Sequence, residues 1–142
     1  LIKRPDLSRA KLERTRDLIN ETIDDCLVEG YESLIKTLQL PDPGDCHILA
    51  AAIKSHAQII VTYNRTDFPD EILAPFGIES QHPDEFLMNQ LDLQPGPFLS
   101  VVKRIRASLQ KPPMNPEKYL DVLRKHSLAK TAEFLTAYLD LI

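Results

Sequence analysis

The sequence predicts an α/β fold: a parallel sheet flanked by helices over residues 1–91, followed by an all-helical C-terminal extension over residues 92–142. Three stretches predict it. Residues 58–62, QIIVT, are a short, almost wholly apolar and β-branched run, the pattern of a strand buried on both faces. Ahead of them ILAAAIKSHA reads as a helix whose small residues let it lie close against a sheet, and a helix leading into a buried strand is the signature of parallel α/β architecture. From Gln94 that alternation stops, and helical patterns follow one another around the rigid linker KPPMNP.

Each element follows from local chemistry. Asp6 or Ser8 caps a first helix through RAKLERTRDLINETI, where Leu12, Ile19 and Ile23, with Leu18, repeat at helical spacing. Arg9, Lys11, Arg14 and Arg16 occupy its other face. CLVEGY predicts a short strand and a turn at Gly30, and ESLIKTLQL a helical turn or short helix ending before Pro41. After the QIIVT strand, YNRTDFP forms a loop at its carboxyl end, the edge where ligands gather in open parallel sheets. DEILAPFG predicts a short helix, GIES a last strand, and HPDEFLMNQL a helix opened by Pro83 with Asp84 and Glu85 in its first turn. PGPFLSVVKRIRASLQ is amphipathic, with Phe98, Val101, Val102, Ile105 and Leu109 on one side and Lys103, Arg104 and Arg106 elsewhere. PEKYLDVLRKH and SLAKTAEFLTAYLDLI close the chain as a helical pair.

Bulk properties narrow the class. At 142 residues, 43% hydrophobic and 27% charged, the chain is an ordinary globular domain, which excludes disordered and fibrous classes. No apolar run approaches the roughly 18 residues of a membrane helix. Cys26 and Cys46 lack the spacing of a zinc site or a disulfide framework, so reduced thiols and a cytoplasmic location are expected. Residues 1–90 hold 9 basic and 16 acidic side chains, and residues 91–142 hold 8 and 5. That asymmetry suits an acidic, metal-collecting part joined to a part able to meet a polyanion. The opening LIKRPDL has no signal-peptide character and reads as the interior of a longer protein.

PDPGDCH, residues 41–47, poses the chemical question. Asp42 at a cap, Pro43 at the first helical position and Asp45 three residues after the cap form a complete helix-start signal, and the same two acids can form half of a metal site. The residues alone leave both roles open. Because a helix and the strand after it are antiparallel neighbours, Asp42, Asp45 and Asp67 are expected at one sheet edge, with Thr62 and Asn64 supporting them by hydrogen bonds. Clustered carboxylates favour a hard cation, Mg2+ or Mn2+, which offsets their mutual repulsion. His47, two residues after Asp45, points about 200° away on a helix and is not expected to join them. Cys46 reads as packing, with no residue placed to activate it. Tyr63 and Arg65 flank Asn64, where they can stack on or pair with RNA, and Lys103, Arg104, Arg106 and Lys111 either contact phosphates or form a solvated helix face.

DCHILAAAIKSHAQIIVTYNRTDF resembles the second half of a PIN domain, in which an Asp opens a small-residue helix and a strand ends in Thr-x-Asn-x-x-Asp-Phe. LPDPGDCHILAAAI with FGIESQHPDEFL and the helical tail resembles the VapC-type toxin branch that carries a C-terminal helical extension. The resemblance covers nearly all of the chain. It implies a magnesium- or manganese-dependent endoribonuclease that hydrolyses RNA phosphodiesters and is held inactive by a cognate antitoxin protein. Under it Asp45 matches the helix-opening acid and Asp67 the loop acid, both catalytic metal ligands, and Asp42 an additional acid of this branch.

One departure shapes the expectation. The family pattern opens on a strand ending in an Asp central to the metal site, followed by a helical region that supplies a Glu. Nothing upstream of Asp45 reads this way, and Glu21, Asp24 and Asp25 do not match in position. The expectation is therefore an N-terminally truncated PIN-like domain lacking the first strand, impaired or inactive as a nuclease. The alternative is a non-catalytic PIN remnant that binds protein or RNA. Open strand edges also predict a homo-oligomer, by a swapped element or a rearranged sheet.

Overall fold

The computed structural model describes residues 8–110 and 112–142. LIKRPDL, with the alternative cap Asp6, and Lys111 lie outside the described residues. The chain forms two compact units, one ending at Ala57 and the other running from Gln58 to Ile142.

In the first unit Ser8 caps α1 (Arg9–Thr22), its hydroxyl accepting from the Lys11 N–H at 3.3 Å. Ion pairs between Arg9 and Glu13 and between Arg16 and Asp17 lace the surface of α1, but none of its residues is buried. The apolar stripe of Leu12, Ile19 and Ile23 is between 46% and 54% exposed. The expected strand at CLVEGY is absent: Asp25 turns the chain at φ 59, and residues 26–29 run on as irregular backbone. A strand requires a neighbour for its backbone hydrogen bonds, and none of the described residues of this unit is in a strand. The turn at Gly30 does form, with φ +73. After it come α2 (Glu32–Ile35), a 3-10 turn (Pro43–Asp45) and α3 (Cys46–Lys54). Leu49, Ala50 and Ala52 of α3 are buried. His56 closes α3 in the left-handed conformation, so that the Ala57 N–H reaches back to the Ala52 carbonyl at 2.9 Å.

The second unit holds a parallel pair, β1 (Ile59–Val61) and β2 (Glu79–Gln81), in the register Ile59 to Glu79, Ile60 to Ser80 and Val61 to Gln81. β1 is not buried on both faces: Ile60 is buried but Val61 is exposed, because this sheet has two strands rather than the interior of a wider one. Between the strands lie a 3-10 turn (Arg65–Asp67), α4 (Asp70–Leu73) and a second 3-10 turn (Ala74–Phe76) closed by Gly77 at φ 68. Beyond them follow α5 (Pro83–Leu93), α6 (Pro95–Ser108), α7 (Pro116–Lys125) and α8 (Ala129–Thr136). Pro stands at the first position of α5, α6 and α7, where its missing N–H costs nothing. The expected domain boundary at 91/92 falls inside α5.

The C-terminal core joins Val102, Tyr119, Leu120, Ala132, Leu135 and Ile142, with Phe98 and Leu123 packed against them. The apolar side of α6 is narrower than expected: Phe98 and Val102 face this core, whereas Val101, Ile105 and Leu109 are exposed. The architecture is thus mixed α/β, with a small parallel sheet and a helical C-terminal part. Among the described residues no helix is long and apolar enough to cross a membrane.

Candidate functional site

Of the two acids of PDPGDCH, one takes the cap role. Asp42 is the cap: its Oδ1 accepts from the Gly44 N–H at 2.7 Å and starts the 3-10 turn. A Cβ on Gly44 would stand 3.0 Å from that same oxygen, so glycine is what lets the carboxylate come in. Asp45 sits where the turn passes into α3, with helical backbone angles and no side-chain cap bond. Its half-buried carboxylate is therefore not consumed by the helix start. His47 turns back instead, its Nδ1 donating to the Gly44 carbonyl at 2.6 Å. Cys46 is buried, its thiol 3.7 Å from the Leu38 carbonyl.

The second constellation lies after β1. The Thr62 N–H donates to the Gln81 carbonyl at 2.9 Å, which extends the parallel pairing by one bond. The Thr62 hydroxyl accepts from the Asn64 N–H at 3.1 Å, and the Asp67 N–H returns to the Asn64 carbonyl at 3.3 Å. Within this turn the Asn64 amide donates to Oδ2 of Asp67, and the Thr66 hydroxyl donates to Oδ1 of Asn64 at 2.5 Å. Phe68 anchors the turn, buried at 3% exposure. Thr62 and Asn64 therefore support Asp67 by hydrogen bonds, and they leave one of its oxygens without an intramolecular bond among the described residues.

Tyr63 and Arg65 are occupied within the fold. The Tyr63 hydroxyl donates to the His126 carbonyl at 3.2 Å, and its ring meets His82 edge-on at 5.3 Å. Arg65 lies 3.6 Å from Glu85 and 3.9 Å from Asp70, with its Nε 3.4 Å from the Ser80 hydroxyl. Arg104 is exposed. Arg106 lies four residues beyond Val102 on the core-facing row of α6, and its Nη1 donates to the Met114 carbonyl at 2.8 Å.

One residue of this unit carries a role the sequence did not reveal. Asp84 is buried in the first turn of α5 and accepts from the Lys130 N–H at 2.8 Å, the Thr131 N–H at 2.9 Å and the Thr131 hydroxyl at 2.7 Å. These are the unpaired donors at the start of α8, whose own cap position is Leu128 and supplies no side-chain acceptor. The local signal was the missing cap. Ser127 looks like a capping residue but is spent as the left-handed end of α7. Burial pushes the Asp84 carboxyl up, but the bonds from Thr131 and Lys130 together outweigh it and hold the group below its ordinary range.

Thr62, Asn64 and Asp67 thus come together in one turn, and Asp42 and Asp45 in another. Within either unit, among the described residues, no three His, Cys, Asp or Glu side chains gather into a ready-made metal cage. The donors present are all oxygen, the chemistry of Mg2+ and Mn2+, which keep several waters and take only one or two carboxylates directly.

Residues 1–66 match the PIN domain family and residues 83–137 match the VapC50 C-terminal domain. Over 94 residues the chain is 39% identical to "Putative ribonuclease VapC50" of Mycobacterium tuberculosis, an alignment covering 66% of this chain and 55% of that protein. The chain therefore spans about half the length of the curated relative it matches. No solved structure matches it. With a PIN match over residues 1–66, a VapC50 C-terminal domain match over residues 83–137 and this identity over 94 residues, the chain is similar to VapC-type proteins of the PIN-domain family.

Proposed function

We propose that this chain is part of a toxin endoribonuclease that cuts RNA with a divalent cation, Mg2+ or Mn2+, and is restrained by an antitoxin protein. The observation that carries this reading is the Thr62–Asp67 turn, in which the Asn64 amide holds the Asp67 carboxylate at the carboxyl end of β1. Asp45 and Asp67 are the ligating acids, with Asp42 as an additional one whose Oδ1 also accepts from the Gly44 N–H. When bound, the ion lowers the pKa of a coordinated water and neutralises charge on the phosphodiester. The protein's own contribution is orientation. Asn64 fixes the rotamer of Asp67, Thr62 fixes Asn64, and Gly44 keeps the Asp42 carboxylate turned onto the helix start. Arg104 supplies an exposed cation for the RNA backbone, which makes binding weaken with salt.

A second reading, a protein-binding module without catalysis, is favoured by α1, whose apolar stripe is exposed along its length. Arg9, Lys11, Arg14 and Arg16 outnumber Glu13 toward its start, while Asp17 and Glu21 lie in its second half and Asp24 and Asp25 just past its end. Two copies of α1 laid antiparallel set basic halves against acidic ones. The occupant this reading assigns to the stripe is a second copy of the chain.

Cleavage of a generic RNA with Mn2+, by the chain and by the Asp45→Asn, Asp67→Asn double variant, separates the readings. Manganese-dependent cutting that the double variant loses supports the nuclease. Cutting that the variant retains, or none by either protein, removes catalysis from this chain and leaves the binding module.

A further inference from the structure

We infer that the α7–α8 pair braces the turn that carries Asp67, with Tyr63 and Arg65 acting as positioning residues in place of RNA contacts. The functional meaning of the brace rests on Asp67 being a metal ligand, as proposed above; its geometry stands alone.

Three ties run from the turn and its neighbours into the helical part. The first is the Tyr63 hydroxyl on the His126 carbonyl. α7 ends with Ser127 in the left-handed conformation, φ 61, so that the Ser127 N–H reaches the Arg124 carbonyl at 3.1 Å and the Leu128 N–H reaches the Leu123 carbonyl at 3.0 Å. This ending satisfies the earlier carbonyls of the last turn and leaves that of His126 outside the helical pattern. The phenol fills the vacant acceptor, 63 residues away in the chain. The second tie is Arg65, which bridges from the turn to Ser80 at β2 and Glu85 on α5, while Glu85 lies 3.9 Å from Lys130 of α8. The third is Asp84, beside Glu85, which takes both N–H groups at the start of α8. α5 and α8 are thereby fixed to each other, Arg65 anchors the turn to α5, and Tyr63 anchors it to the end of α7.

The arrangement answers a physical problem. Residues 63–66 are exposed, and an exposed turn with few apolar contacts opens easily. A ligand carboxylate on such a turn must be ordered at a cost to metal affinity unless something else orders it first.

Tyr63→Phe tests the brace, because it removes only the O–H and keeps the ring against His82. Arg65→Ala removes the second tie, and Arg65→Lys restores its charge. In Tyr63→Phe we expect about fivefold faster amide exchange over residues 64–67, the loss of one hydrogen bond, with unchanged protection in α7 and α8. The Asn64 side-chain amide resonances shift in the same variant, and Mn2+ affinity falls by a similar factor. Arg65→Ala behaves alike, and Arg65→Lys recovers part of the loss. Wild-type exchange and wild-type Asn64 resonances in both Tyr63→Phe and Arg65→Ala would overturn the brace. If the wild-type chain takes up no Mn2+, the metal reading fails, and the exchange and resonance comparison still decides the brace.

Discussion

Asp84 and Thr131 meet through two hydrogen bonds: one carboxylate oxygen accepts from the threonine N–H at 2.9 Å and from its hydroxyl at 2.7 Å. The pair is buried and joins the first turn of α5 to the first turn of α8, 47 residues later. A side chain from a distant helix thus does what a local Ser, Thr, Asp or Asn does at an ordinary helix start.

Asp84→Ala leaves the Lys130 N–H and the buried Thr131 N–H without their acceptors. Loss of a cap together with charge-assisted bonds costs about 2 kcal/mol. Urea denaturation should show a lower midpoint by that amount, and amide exchange should localise the loosening to the start of α8. Thr131→Val, which keeps the N–H bond and removes only the hydroxyl, should cost less than Asp84→Ala.

The same carboxylate makes stability pH-dependent in a defined direction. Its folded-state pKa lies below the ordinary value, so its contribution is complete above about pH 4, the unfolded carboxylate range, and is lost as pH falls through the folded value. His82, the neighbouring Glu85 and Lys130 are the other ionisable groups beside it. Measured between neutral and acid pH, the stability gap between wild type and Asp84→Asn should narrow below about pH 4. A gap independent of pH would mean that the clamp does not depend on charge.

The exposed stripe of α1 predicts self-association. The chain should sediment above the 16.1 kDa of a single copy, and Leu12→Lys with Ile19→Lys should return it to that mass. A wild-type chain that sediments as one copy at micromolar concentration would reject the pairing of α1 with itself.

What could be read from the chain beforehand was local. Ser8 and Pro83 announce helix starts by their own chemistry, and each stands where that chemistry placed it. QIIVT and GIES were legible as strands because β-branched and alternating runs bounded by turn residues leave few other options. CLVEGY failed because a strand is completed by a neighbour, and three apolar residues do not say whether one exists. The partners of Tyr63, Arg65 and Asp84 were illegible for the same reason: they lie 15 to 63 residues away, at His126, Ser80 and Thr131. Arg106 looked like one of several free cations because the pattern gave it no row, whereas the fold places it on the core-facing side of α6. For the acids of the candidate site the sequence left the cap open between two positions of one motif, and the structure shows Asp42 capping and Asp45 making no cap bond.

The most direct test of the account is calorimetric Mn2+ titration of the chain alongside Asp45→Asn, Asp67→Asn and the double variant. The account predicts binding in the wild type, at least tenfold weaker binding in each single variant, about the cost of removing one charged ligand, and a double variant little worse than either. Mn2+ binding that survives both substitutions would contradict it.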